Sequence, residues 1–146
     1  MCATLARAAD EASSQDAVDW PTRAAALVPR IAAAADEIER TRRLPRDLLD
    51  ALHDASMFRM MLPRSLGGGE ADLAGFVRTI ETIASADAST AWCLCQASGC
   101  SMSAAYLAPE AARRIFGPRD SVLAWGPPVP GSKAVAAPGG FRVTGR

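Results

Sequence analysis

The side chains able to do chemistry fall into a few groups, and their spacing decides which of them can act. His53, the single histidine, lies between Leu52 and Asp54 in a helical pattern, near its polar face. No Ser or Cys nucleophile is tied to it by a pattern of its own, so it is read as a surface residue with no catalytic role. Cys93, Cys95 and Cys100 are close together, but residues two apart on a helix point to different faces, and no CxxC pair or second histidine completes a metal set. They are read as reduced core thiols; no metal is expected, and no catalytic residue is assigned. The run Gly67-Gly68-Gly69 ahead of a helix raises the question of a phosphate cradle. It has neither a GxGxxG pattern nor a following Lys-Ser/Thr, so it reads as a structural turn. Asp36 with Glu37 and Glu39, and Asp47 with Asp50, occupy arginine-rich helix surfaces and read as solvated faces.

What remains is the stretch 124–133, Ala-Trp-Gly-Pro-Pro-Val-Pro-Gly-Ser-Lys. Three prolines stiffen it, two glycines permit close backbone approach, and Trp125 supplies a large ring. Such a loop either lines a planar ligand or joins two units, and the residues alone leave both open.

The elements that would position these residues are mostly helical. Between 22 and 40 the residues Leu27, Ile31, Ala34, Ala35 and Ile38 recur at spacings of three and four, an amphipathic stripe in which Pro29 either begins or bends the helix. Leu44-Pro45 opens a second helix with Leu48, Leu49, Leu52 and Ala55 inward, ending near Ser56. A third is expected over 71–86, with Leu73, Phe76, Val77, Ile80 and Ile83 on one face. Asp87 or Ser89 caps a fourth, almost continuously apolar through Tyr106 and so expected to be central and enclosed on most sides. Pro109 starts a short fifth helix closed by Gly117-Pro118. After Asp120 the pattern changes to strands: 121–125, then 133–137 and 141–144 around Pro138-Gly139-Gly140, a hairpin signature.

Sixteen basic side chains against sixteen acidic ones give zero net charge. That removes the electrostatic drive for nucleic acid or an anionic membrane, and neither is expected as a partner. Apolar residues at 49% and charged residues at 22% suit a packed core rather than disorder. Four clustered cysteines do not make a disulfide framework, and the first twenty residues lack the apolar run of a secretory signal, so a cytoplasmic location is expected. The uncharged stretch 88–109 is long enough to cross a bilayer. Gln96, Ser98, Gly99, Ser101 and Ser103 interrupt it, which fits a buried helix of a soluble protein better.

Several motifs in register resemble the acyl-CoA dehydrogenase superfamily: LPRDLLDALHDASMFRMMLPRSLGGGEADL (44–73), TIETIASADASTAWCL (79–94), AARRIFG (111–117) and VLAWGPPVPGSKAVAAPGGFRVTGR (122–146). The resemblance implies a mainly α chain: the N-terminal helical domain of the acyl-CoA dehydrogenase-like fold, followed by the first strands of a truncated β-barrel domain. On that reading residues 1–20 are a flexible lead, 21–118 the helical domain and 119–146 the start of the middle β domain. It further implies a bound flavin, FMN or FAD. Trp125 and Gly126 look like cofactor-contacting residues, and Gly99, Cys100, Gly131 and Ser132 like the substrate pocket. Lys133 stands where acyl-CoA dehydrogenases usually carry Asp.

The wording DASTAWCL, with GGFRVTGR at the hairpin, is more similar to the flavin-dependent monooxygenase branch. That implies reduced flavin from a partner flavin reductase, O2, an aromatic or heterocyclic substrate and a homotetrameric parent. The 146-residue piece is expected to be inactive by itself. FAD-dependent dehydrogenation of an acyl-CoA is the alternative within the superfamily, and a non-catalytic helical module or remnant is the alternative outside it.

Overall fold

Asp19 starts the first helix: its carboxylate accepts from the Thr22 backbone N–H at 3.0 Å and from Thr22 Oγ1 at 2.6 Å, while Pro21 sits in the first turn. In the computed structural model, which describes residues 18–126 and 129–145, this helix α1 spans Trp20–Thr41 and closes on Arg42 in the left-handed region at φ 57°. Pro29 lies inside it without ending it. Pro29 and Ala25 are both exposed, so the carbonyl that loses its helical donor faces water. The lead expected over 1–20 lies, for residues 1–17, outside the described residues. Trp20 is buried as the first helical residue.

The chain continues through α2 (Arg46–Asp54), 3-10 turns at Met57–Arg59 and Arg64–Leu66, α3 (Leu73–Ala84) and α4 (Ala88–Ser101). A further 3-10 turn, Met102–Tyr106, leads to α5 (Pro109–Phe116). A two-stranded antiparallel sheet, β1 (Lys133–Ala137) and β2 (Gly140–Thr144), completes the described part. Among the described residues the protein is mainly helical, with its strands at the C-terminal end. Helices α1 and α3 pack on each other, α3 packs on α4, and the Met57–Arg59 turn wedges against α4. One apolar core joins Trp20, Ile31, Leu52, Met57, Phe76 and Leu94.

Two of the glycines in the run 67–69 are fixed by packing. A Cβ on Gly69 would fall 2.1 Å from the Trp20 ring, and one on Gly68 would fall 1.9 Å from the Leu62 carbonyl oxygen. Their amides donate inward, Gly68 to Pro63 and Gly69 to Arg59. The loop is therefore a structural turn, and those amides are not available to an anion.

Three expectations need correction. Residues 121–126 carry no regular structure; a strand needs a neighbour to take its backbone groups, and none pairs with this segment among the described residues. The α4 helix ends at Ser101, short of Tyr106, and is enclosed on one side only: Leu94, Ala97 and Ser98 are buried while Trp92 is 65% exposed. On α3 the buried stripe is Gly75, Phe76, Thr79 and Ile83, while Leu73 and Val77 face outward. The hairpin forms as expected. Pro138 sets φ before Gly139 (φ 82°), which supplies the positive angle that the turn requires.

Candidate functional site

The outward flank of α4 and the irregular segment after α5 enclose a groove of about 630 Å³. It is lined by Phe58, by Trp92, Cys93, Gln96 and Ala97 of α4, and by Val122, Ala124, Trp125 and Gly126. Asp87 sets the start of α4, accepting from the Thr90 N–H at 2.6 Å and the Ser89 hydroxyl at 2.7 Å. With the start fixed, Trp92 and Gln96 stand one turn apart on the same face. Two tryptophans that remain mostly exposed, Trp92 at 65% and Trp125 at 68%, thus border a single concavity. Phe58 is buried in the core and lends its ring to the groove.

Three polar anchors hold these walls. Ser98 Oγ donates to the Met57 carbonyl at 3.0 Å in the interior, tying α4 to the turn that carries Phe58. The Arg59 guanidinium donates to the carbonyls of Leu66 (2.6 Å), Phe116 (2.9 Å) and Pro118 (3.2 Å), so that one side chain clamps the glycine loop and the end of α5. Burial lowers its pKa from the usual guanidinium value. Arg119 then pairs with Asp54 on α2. These contacts fix where residues 121–126 leave the helices and therefore where Trp125 stands.

His53 is half-buried rather than a surface residue, with its ring 4.7 Å from that of Phe58. Burial, and next the Arg119 charge, push its pKa below the ordinary imidazole value. It faces a separate polar hollow lined also by Arg46, Asp50, Arg119 and Asp120.

Of the residues singled out in the sequence, Trp125 and Gly126 line the groove and the other four do not. Gly99 continues the Trp92–Gln96 face one turn further, with open space where a Cβ would be. Cys100 is buried at 6% exposure. Gly131, at φ 91°, and Ser132 form the exposed turn leading into β1, where the Ser132 N–H donates to the Val129 carbonyl at 3.0 Å. Cys93 is exposed in the groove, not a core thiol. Phe58, Trp92, Cys93 and Gln96 were missed: Phe58 lies on the turn ahead of α4, and α4 is apolar on nearly every side, so its sequence marks no face as the open one. Pro127 and Pro128 of the candidate loop lie outside the described residues.

Residues 22–119 match the family described as the acyl-CoA dehydrogenase N-terminal domain. The chain is 33% identical over 113 residues to indole-3-acetate monooxygenase of Pseudomonas putida, covering 75% of this chain and 28% of that protein. It is 40% identical over 67 residues to the flavin-dependent monooxygenase oxygenase subunit HsaA of Rhodococcus jostii, covering 46% of this chain and 18% of that one. Among solved structures, 3-HSA hydroxylase from Rhodococcus sp. RHA1 superposes with a TM-score of 0.76 at 27% identity, over 90% of this chain and 34% of that one. XiaF from Streptomyces sp., in complex with FADH2 and glycerol, gives 0.79 at 27% identity over 86% and 32%. The chain thus spans less than a third of the curated relatives named here.

Proposed function

Because this chain belongs to the acyl-CoA dehydrogenase family by its N-terminal domain, we propose that it forms the helical wall of the active site in the oxygenase component of a flavin-dependent aromatic monooxygenase. The observation that carries this reading is the groove between Trp92 and Trp125, in a chain whose named relatives hydroxylate or oxygenate small molecules. No helix of the described residues is long and apolar enough to cross a membrane.

The residues fit a flavin ring system. Two indole rings on the groove rim and an apolar floor at Phe58 suit a large flat ring system, and the groove volume lies in the usual range for ligand sites. Gly126, where a Cβ would meet nothing within 4 Å, leaves room for a ring to approach the backbone. No lining side chain among the described residues is cationic, so these residues would contact the flavin ring rather than pair with its phosphates. Trp125 and Gly126 would support the ring, and α4 would wall the substrate side, with Gly99 and Cys100 further along that helix and Gly131-Ser132 at the loop's far end. When bound, reduced flavin supplies the electrons that activate O2 for transfer of one oxygen atom to the substrate. The chain's own contribution is to position the rings and keep water out with Phe58, Ala97 and Val122.

On this reading residues 21–118 are the helical domain and 119–146 open a middle β domain. FMN or FAD arrives reduced from a partner flavin reductase, and the oxygenase works in the cytoplasm as a homotetramer. The test is to supply the native protein with reduced flavin, a phenol and labelled O2. Hydroxylated product carrying the label is expected. Flavin oxidation with no hydroxylated product from any aromatic compound, or reduction of bound flavin by an acyl-CoA, overturns the proposal.

A further inference from the structure

We propose that His53 and Arg119 form a proton-sensitive latch on the groove: with His53 neutral, Arg119 stays seated on α2 and holds the Trp125 wall, and protonation of His53 unseats it. The proposal concerns how the groove is held and stands whatever ligand fills it.

The first observation is where Arg119 sits. Its guanidinium pairs with the Asp54 carboxylate and reaches the Asp50 carbonyl at 3.5 Å, so it spans one turn of α2. His53 lies within that turn, on the same helix face, and lines the polar hollow together with Arg119. Arg119 therefore ties α2 to the chain that leaves α5, six residues ahead of Trp125. Residues 121–126 have no regular structure. Their direction depends on the ties at their base, made by Arg59 at the Pro118 carbonyl and by Arg119 at α2.

The second observation is what a proton on His53 would meet. From the segment after α5 it meets Arg119 and Asp120, and from its own helix Arg46 and Asp50. The Met57–Arg59 turn offers the uncharged Phe58 ring, 4.7 Å away, and Phe58 also lines the groove. Arg46 already pairs with Asp50 at 3.1 Å, and Arg119 with Asp54. A charged imidazole adds a third cation, which repels Arg119 and competes for Asp50. Both partners of the Arg119–Asp54 pair are mostly exposed, and such a pair is weak enough for one neighbouring charge to decide. Burial and the Arg119 charge keep His53 neutral near pH 7, so the latch is shut there and opens on acidification.

The experiment incorporates fluorotryptophan at the three tryptophans of the chain and records fluorine NMR from about pH 7.5 to about pH 5, across the histidine range. Each resonance is assigned by its loss in Trp20→Phe, Trp92→Phe or Trp125→Phe, and the single histidine is followed by proton NMR. The Trp125 resonance is expected to move in one step at the His53 midpoint, below about 6.5. Trp20, buried in the core, should stay in place. His53→Gln should abolish the step and leave Trp125 at its neutral-pH position. Arg119→Gln should hold Trp125 at its acid position at every pH and raise the His53 midpoint by removing a cation. Asp54→Asn should act on Trp125 as Arg119→Gln does. A Trp125 resonance that ignores the His53 midpoint, or a step that survives His53→Gln, overturns the proposal. So does a Trp20 resonance that moves with Trp125, because it reports general unfolding. If His53→Gln does not fold, the other two variants decide: a Trp125 step like that of the parent chain in both overturns the latch.

Discussion

The Arg59 guanidinium donates to the Phe116 carbonyl at 2.9 Å, joining residues 57 positions apart. The same group reaches the Leu66 and Pro118 carbonyls, so the end of α5, the glycine loop and the start of the Trp125 segment meet at a single side chain. The groove depends on that junction, because nothing regular holds residues 121–126.

Replacing Arg59 with Met keeps most of the aliphatic stem and removes every donor. The loss is expected to be about 3 kcal/mol, since charged donors to carbonyls are worth more than neutral ones and the acceptors are left unpaired. Urea unfolding checks the stability, and hydrogen exchange of residues 119–126 should quicken in the variant. An unchanged midpoint would show that the junction is incidental.

Ser98 and Thr90 make a paired test on one helix. Ser98→Ala strands the buried Met57 carbonyl and should cost about 1 to 3 kcal/mol. Thr90 Oγ1 is buried with no partner among the described residues, so Thr90→Val should be neutral or stabilising. Thermal unfolding that ranks the two the other way would contradict the assignment.

Gly69→Ala forces a methyl into the Trp20 ring and should cost more than about 3 kcal/mol. Gly126→Ala, which meets open space, should leave stability within about 0.5 kcal/mol. Comparable losses at both positions would mean that the glycine loop is not packed as described.

His53 favours its neutral form in the folded state, because burial and then Arg119 lower its pKa; Arg46 adds to this, and Asp120 and Asp50 oppose it. Its contribution is therefore complete above the unfolded value of about 6.5 and is lost as pH falls through that value toward the folded one. Asp19 and Asp47, held low by side-chain hydrogen bonds from Thr22 and Arg30, lose stability at more acidic pH in any variant. Comparing urea midpoints at about pH 7.5 and about pH 5 isolates the histidine: His53→Gln should show the smaller drop. Equal drops would remove His53 from the account.

The helices were legible because their signals are local. Asp87 ahead of an apolar run, Pro109 at a first turn and the stripe through Ile31 and Ile38 each fix an element without reference to the rest of the chain. The stretch 121–125 misled because its composition suits a strand, whereas strand formation depends on a partner. The proline-stiffened loop around Trp125 and Gly126 was conspicuous in sequence, but its residues alone left a ligand wall and a linker both open, and only the family resemblance singled out those two. Trp92 and Gln96 could not be picked out, since an α4 that is apolar all round shows no preferred face until the packing of α3 and the Met57–Arg59 turn defines which side is left open.

The central claim is tested most directly by titrating the chain anaerobically with reduced FMN and FAD while following tryptophan emission. Trp125→Ala serves as the comparison, since Trp125 is mostly exposed and its loss should not unfold the helices. The expected result is a saturable change in emission with one of the flavins, weakened about tenfold or more in the variant. No saturable change with either flavin, or identical affinity in Trp125→Ala, would contradict the claim that this groove holds the flavin ring.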